Sequence, residues 1–284
     1  MLDENPLLDN YYQAPIIGYH RAPLSQKFGA PRQPNLVALT SVIEMLALYD
    51  TPAAFDGLDK FSHIWVSWQF HHNYRYKNNN ETSTSFRAQV RPPRLGGNQK
   101  IGVFASRSMY RPSGLGLSVV KLEQVKIIQG RVLLIIKGAD MIDGTPIIDI
   151  KPYVAYSDAL IQAQSGFAPT APELLNVTVT DAANEQFMML VSAGESSNAN
   201  NDKSIKDANT GLNSATVAST VHRIQNQVVA SDMSIIKELI AQDPRPAYRR
   251  TEIATPFVMR YKSVDVSFQL MKSGQLQIIA VVAI

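Results

Sequence analysis

The run HIWVSWQFHH alternates without a break: Ile64, Val66, Trp68 and Phe70 fall on one face, and His63, Trp65, Ser67, Gln69 and His71 on the other. A period of two predicts a strand with one buried side. LSVVKLEQVKI and RVLLIIKGA are rich in β-branched residues and are parted by Gln129-Gly130, which predicts a hairpin. TPIIDIKPY follows a second turn signal at Asp143-Gly144 and predicts a further strand. Several short strands at close spacing, without long helical patterns between them, predict a barrel or sandwich rather than a doubly wound sheet.

The pattern changes beyond about residue 192. Residues 192–231 are rich in Ser, Asn, Ala and Asp and poor in large apolar side chains, which reads as a polar linker or insertion outside any core. A period near 3.6 returns at Ile235, Ile236, Leu239 and Ile240 and predicts a helix that stops before Pro244. VDVSFQL and QLQIIAVVAI, on either side of Ser273-Gly274, predict a β-hairpin. The expected fold class is mainly β (α+β). A barrel-type domain is expected over 1–170, a variable segment and polar linker over 171–231, and a small α+β domain over 232–284.

Composition narrows the chemistry. A chain of 284 residues can bury a substantial core. The absence of cysteine removes disulfides, thiol nucleophiles, thiolate zinc sites and iron–sulfur clusters. MLDENPLLDN is acidic and has no apolar run, so a secretory signal is not expected. No window approaches the ~18 apolar residues of a membrane span. A soluble, cytoplasmic protein with no membrane and no metal partner is the expectation.

The net charge of +3 says little, but its distribution says more. Arg75, Lys77, Arg87, Arg91, Arg94, Lys100, Arg107 and Arg111 stand against a single acid, Glu81, and a second basic cluster holds Arg245, Arg249, Arg250, Arg260 and Lys262. Concentrated positive charge on a near-neutral protein points to a phosphate-rich partner; a solvated basic face is the plain alternative. The stretch RPPRLGGNQKIGVFASRSMYRPSGLGLS, residues 91–118, sets its arginines on a Gly/Pro framework. Arginine grips phosphate and carboxylate bidentately, proline stiffens the backbone beside it, and glycine admits a ligand close to the main chain. An anionic or nucleotide-like ligand fits that mixture.

The familiar nucleotide and hydrolase motifs fail. LGGNQKIG lacks the P-loop spacing, SGLGLS is not G-x-G-x-x-G, and neither H-E-x-x-H nor G-x-S-x-G occurs. His71 and His72 close a strand pattern, where an ordinary hydrogen-bonded strand-end histidine is the favoured reading and a ligand contact the alternative. Asp140, Asp143 and Asp149 lie in the turn-rich ADMIDGTPIIDIKPY; Asp143 before Gly144 reads as a turn former, which leaves room for a main-chain contact to a ligand.

Five segments, taken in order, resemble the TsaA-like, TrmO family of tRNA methyltransferases: FGAPRQP, GLDKFSHIWVSWQFHHN, the 91–118 stretch, DMIDGTPIIDIKPYVAYSD and AQDPRPAYRR. The resemblance implies a β-barrel-type catalytic domain, S-adenosyl-L-methionine as methyl donor, tRNA as partner and a homodimer. The implied substrate is threonylcarbamoyladenosine at tRNA position 37, methylated on N6. The implied cofactor contacts fall on Pro31, Arg32 and Gln33, on His71 and His72, on Arg107 and Leu117, and on Met141, Ile142, Asp143 and Gly144. Arg91, Arg94, Arg111, Arg245 and Tyr248 are the RNA-binding candidates, Tyr74, Tyr76 and Tyr110 are stacking candidates, and His71 and Asp143 are the candidate bases if one is used. The alternatives are a non-catalytic RNA-binding barrel, or a methyltransferase of the same fold with another RNA or small-molecule substrate. Ser113-Gly114 stands where the family favours Asn-Pro, a change expected to loosen that loop.

Overall fold

The computed structural model describes residues 12–72, 87–205 and 216–284. Six strands close into an antiparallel barrel: β1 (Gly18–Arg21), β2 (Thr40–Met45), β3 (His63–Gln69), β6 (Leu115–Ile128), β7 (Arg131–Lys137) and β8 (Pro146–Pro152). Their order around the barrel is β1-β2-β7-β6-β3-β8. The alternation of β3 survives intact, with Ile64, Val66 and Trp68 buried and the intervening residues half-buried. Inside the barrel these three pack with Ile43, Met45, Val120, Leu122, Leu134, Ile136 and Ile147. Gln129 and Gly130 both take positive φ, as a tight hairpin between β6 and β7 requires.

Between β3 and β6 the chain leaves the barrel. Part of this excursion forms a two-stranded ladder of β4 (Gln89–Val90) and β5 (Ile101–Gly102), with 3₁₀ turns at Pro93–Leu95 and Val103–Ala105. After β8 come a single turn, α1 (Ala155–Asp158), then β9 (Val177–Val179), α2 (Asp181–Ile205), α3 (Val217–Asn226) and α4 (Asp232–Ala241). The expected hairpin is β11 (Val264–Leu270) and β12 (Leu276–Ala283), joined by β10 (Phe257–Tyr261). The second sheet has the order β10-β11-β12-β9, with β9 parallel to β12.

The segment read as a polar linker differs from that expectation. Residues 192–205 continue α2, and 217–226 form α3, started by a capping box in which Thr216 and Ser219 each bond the other's main chain. Alanine and the capping residues let a polar sequence form helix, and a narrow apolar stripe suffices to dock it. Val217 and Val221 pack on the outer wall of the barrel against Val42, Ile128 and Leu133. The second core also draws on more chain than 232–284: Val177, Ala183, Phe187 and Val191 belong to it. So do Leu24, Val37 and Leu39 from the β1–β2 connection. Phe28 stacks on Phe257 and Phe268, with ring centroids 6.4 and 6.2 Å apart. Gly29, at φ +93°, passes so close to Met259 that a Cβ would lie 2.4 Å from its sulfur.

Candidate active site

Every pair of neighbouring barrel strands is antiparallel. The ends of β1, β3 and β7 and the starts of β2, β6 and β8 therefore share one rim. Three connections cross it: 22–39, the excursion after β3, and 138–145. The first carries Pro31, Arg32 and Gln33, the second His71, His72 and Arg107, and the third Met141 to Gly144, while Leu117 lies two residues into β6. All of the cofactor candidates thus reach one end of one barrel.

Hydrogen bonds tie the connections together. Asp143 N–H donates to the Leu24 carbonyl at 2.7 Å and Gly144 N–H to that of His20 at 2.8 Å. Arg107 Nη1 donates to Gln33 Oε1 at 2.6 Å, and Lys27 Nζ to the His72 carbonyl at 2.8 Å. His71 hydrogen-bonds the Asp143 main chain, and its Nε2 is 3.8 Å from where a Cβ on Gly144 would stand. Burial first, and then the adjacent His72, hold His71 below the usual histidine pKa, so it is neutral at pH 7. The Asp143 carboxylate is already engaged: Oδ1 accepts from Ala22 N–H at 2.9 Å and from Gln225 Nε2 of α3 at 2.6 Å. It secures the turn, as its place before Gly144 (φ +74°) suggested. Met141 and Ile142 point their side chains into the protein, 1% and 8% exposed, which leaves only their main chain for a ligand.

One array at the rim was not foreseen. Trp68 Nε1 donates to Ser118 Oγ at 3.0 Å, and Ser118 Oγ donates to Asp140 Oδ1 at 2.5 Å. Burial pushes the Asp140 carboxyl above the usual carboxylate range, against the opposing pull of Ser118 and Arg107. The signal was present in the sequence. Ser118 occupies an inward position beside Val120 and Leu122, and a buried indole N–H needs an acceptor.

His20, fully buried on β1, offers its Nδ1 to the Ile142 carbonyl at 3.1 Å and so holds the same turn from below. Burial pushes its pKa down to about 4 from 6.5, although the Ile142 carbonyl acts in the other direction. The unfolded chain therefore takes up this proton first. The stabilisation is intact above pH 6.5 and is lost as pH falls toward about 4. At ~1.4 kcal/mol per pH unit, a loss of ~3 kcal/mol is expected across that window. Urea denaturation at a series of pH values checks it; an unchanged pH slope in His20→Gln would remove His20 as the cause.

The basic candidates separate. Arg91 is exposed. Arg94 donates from Nη2 to the Thr170 carbonyl at 2.6 Å, and Arg111 from Nη1 to the Ser106 carbonyl at 3.0 Å. Tyr110 already carries the Arg87 guanidinium 4.0 Å from its ring centroid, while Tyr248 is 84% exposed. Tyr74, Tyr76, Arg75 and Lys77 lie outside the described residues. The second basic cluster is largely paired off: Arg249 with Glu252, Arg260 with Asp265, Lys262 with Asp232, and Arg250 with Asp243. Arg245 is not a surface cation at all. It is 1% exposed and paired with Asp243 at 2.7 Å, because DPRPAY turns inward onto Phe257.

The family model for the tRNA-methyltransferase O N-terminal domain matches residues 19–159, and that for the TrmO C-terminal domain matches 213–284. The tRNA (adenine(37)-N6)-methyltransferase of Escherichia coli K12 is 32% identical over 269 residues, covering 91% of this chain and 96% of that protein. The chain belongs to the TrmO family. RcsF of Pseudomonas aeruginosa, named among the S-adenosylmethionine-dependent methyltransferases, is 33% identical over 266 residues, or 93% of this chain and 95% of the relative. The crystal structure of TrmO from Pseudomonas aeruginosa superposes with a TM-score of 0.66 at 27% identity, covering 96% of this chain and 99% of that one.

Within the family pattern, Ser113-Gly114 has a structural reason. Gly114 sits at φ +62°, which proline cannot adopt. The loop is not loose. Gly114 N–H donates to Arg111 O at 3.0 Å, its carbonyl accepts from Phe70 N–H at 2.9 Å, and Leu115 N–H donates to Ser113 Oγ at 3.2 Å.

Proposed function

We propose that the protein methylates N6 of threonylcarbamoyladenosine at position 37 of tRNA, with the cofactor held at the barrel rim. As a TrmO protein the chain is an S-adenosylmethionine-dependent methyltransferase acting on adenine 37 of tRNA. The observation that carries the site is the topology: three connections far apart in sequence are hydrogen-bonded to one another at one rim.

The residues there suit the cofactor chemically. Arg107 and Lys27 offer cations for a carboxylate, Asp140 an acceptor, and the exposed Leu117 and Phe104 apolar surface for a nucleoside. Arg32, Gln33, His71, His72, Arg107 and Leu117 would hold it with side chains, and the buried Pro31 and Met141 to Gly144 with main chain. When bound, S-adenosylmethionine supplies a methyl group activated by a positively charged sulfur. The protein's own task is then chiefly positioning. N6 of the modified base bears a carbonyl, so its N–H is more acidic than that of adenosine. His71, neutral and oriented by the Asp143 main chain, is the group we assign to receive that proton. Asp143 is assigned to the turn, since its carboxylate is taken by Ala22 and Gln225.

Arg91, Arg94, Arg111 and Tyr248 are assigned to the RNA, in a cytoplasmic homodimer. Leu115, Leu117 and Phe104, exposed by 42%, 55% and 66%, leave apolar surface beside the rim of the kind a second subunit or a nucleobase covers. Nucleoside mass spectrometry tests the reading, using tRNA with and without the threonylcarbamoyl group. The expected result is a methyl gain on the modified base alone. Binding of tRNA without methyl gain would make the protein a non-catalytic RNA-binding barrel, and methylation of unmodified tRNA would make the base, not its substituent, the substrate.

A further inference from the structure

Lys27, like Arg107, reaches across the rim from one connection to another. Its Nζ donates to the His72 carbonyl at 2.8 Å and approaches Met109 Sδ at 3.6 Å, so it bridges the 22–39 connection to both ends of the excursion after β3. Both partners are neutral. The rim's carboxylates are committed elsewhere, Asp140 to Ser118, and Asp143 to Ala22 and Gln225. Asp243 at the end of α4 serves Arg245 and Arg250. An ammonium carries three donors, and this one spends them on a carbonyl and a weak sulfur acceptor. Partial desolvation also draws its pKa below the usual lysine value. With no carboxylate bonded to it among the described residues, this cation is short of an anion.

We propose that Lys27 receives an amino-acid carboxylate brought into the rim by a ligand. The proposal rests on the functional reading above, under which two ligands carry such a group: the methionyl tail of S-adenosylmethionine and the threonyl tail of the modified base. A carboxylate is preferred to a phosphate because Lys27 sits beside His71 and His72, among the cofactor candidates.

The test uses the full chain as wild type, Lys27→Met and Lys27→Arg, with melting curves to establish folding; the exposed stem of Lys27 makes all three expected to fold alike. One arm measures calorimetric affinity for S-adenosylmethionine and for its decarboxylated form without RNA. The other measures KM for tRNA bearing threonylcarbamoyladenosine and for tRNA bearing its threonyl amide. In one arm, Lys27→Met is expected to weaken the carboxylate-bearing ligand roughly ten- to hundredfold. It should leave the carboxylate-free ligand unchanged, with Lys27→Arg retaining most of the difference. The arm that responds names the source. If neither arm responds, or if both members of a pair weaken equally, the assignment is overturned while the functional reading stands. A wild type that neither binds the cofactor nor methylates tRNA overturns that reading and this assignment together.

Discussion

Asp243→Asn is expected to destabilise the protein by about 3 kcal/mol, the scale on which a buried ion pair loses one partner. Arg245 is 1% exposed, and its charge is met by Asp243 through Nε–Oδ1 at 2.7 Å and Nη2–Oδ2 at 3.2 Å. Its Nη1 has no hydrogen-bond partner among the described residues, so Asp243 is the carboxylate that bonds it, and Glu252 acts on it only through space. Arg250 reaches Oδ2 at 3.1 Å as an ion pair without hydrogen-bond alignment. Asparagine isolates the charge because Asp243 sits at φ +49°, a conformation asparagine tolerates, and the two side chains share a shape. The consequence should extend to the rim. Arg32 Nη2 donates to the Asp243 carbonyl at 3.4 Å, so the C-terminal motif braces the connection that carries Pro31 and Gln33. Urea denaturation gives the stability, and cofactor titration gives the coupling. A loss below about 1 kcal/mol would show that Arg245 is hydrated or neutralised in another way.

Gly116→Ala is the second large effect. Gly116 faces Trp68 across the β3–β6 ladder, and a Cβ there would lie 2.2 Å from Cε2 and 2.3 Å from Cζ2 of the indole. The indole has nowhere easy to go: it is 6% exposed and sits edge-on to Phe70 at 4.3 Å. Overpacking of this kind costs about 1–3 kcal/mol. The larger expected loss is in methyl transfer, roughly tenfold or more, because displacing Trp68 breaks its bond to Ser118 and with it the support of Asp140. Melting curves and steady-state rates check both halves. Full activity at wild-type stability would mean the backbone of β6 yields instead, and that the Trp68–Ser118–Asp140 array is not needed.

Much of the fold was legible in local pattern. The alternation of β3, the β6–β7 hairpin at Gln129-Gly130 and the β11–β12 hairpin at Ser273-Gly274 all appear where turn residues and period-two runs predict them. α4 begins at Asp232 and ends at Ala241, short of Pro244. α2 and α3 were missed because their polar faces dominate the sequence. Among the described residues, only Ala183, Phe187 and Val191 in one, and Val217, Thr220 and Val221 in the other, are buried. The site was legible as motifs, but its charges were not. Arg91 and Arg245 look alike in sequence beside their prolines, yet one is exposed and the other is enclosed with Asp243.

By itself the sequence determined strands β3, β6, β7, β8, β11 and β12, their turns, the absence of thiol chemistry and the family, because alternation, turn residues and motif order are local properties of the chain. The tertiary structure alone decided which of those motifs share a site. Closure of the antiparallel barrel brings residues 22–39, 71–72, 107 and 138–145 to one rim, and folding buries Arg245 with Asp243 and Lys262 with Asp232 while pairing Arg249 and Arg260 with acids at the surface. The shared rim depends on contacts between residues more than a hundred positions apart, such as Ala22 with Asp143 and Arg32 with Asp243, which no local pattern encodes.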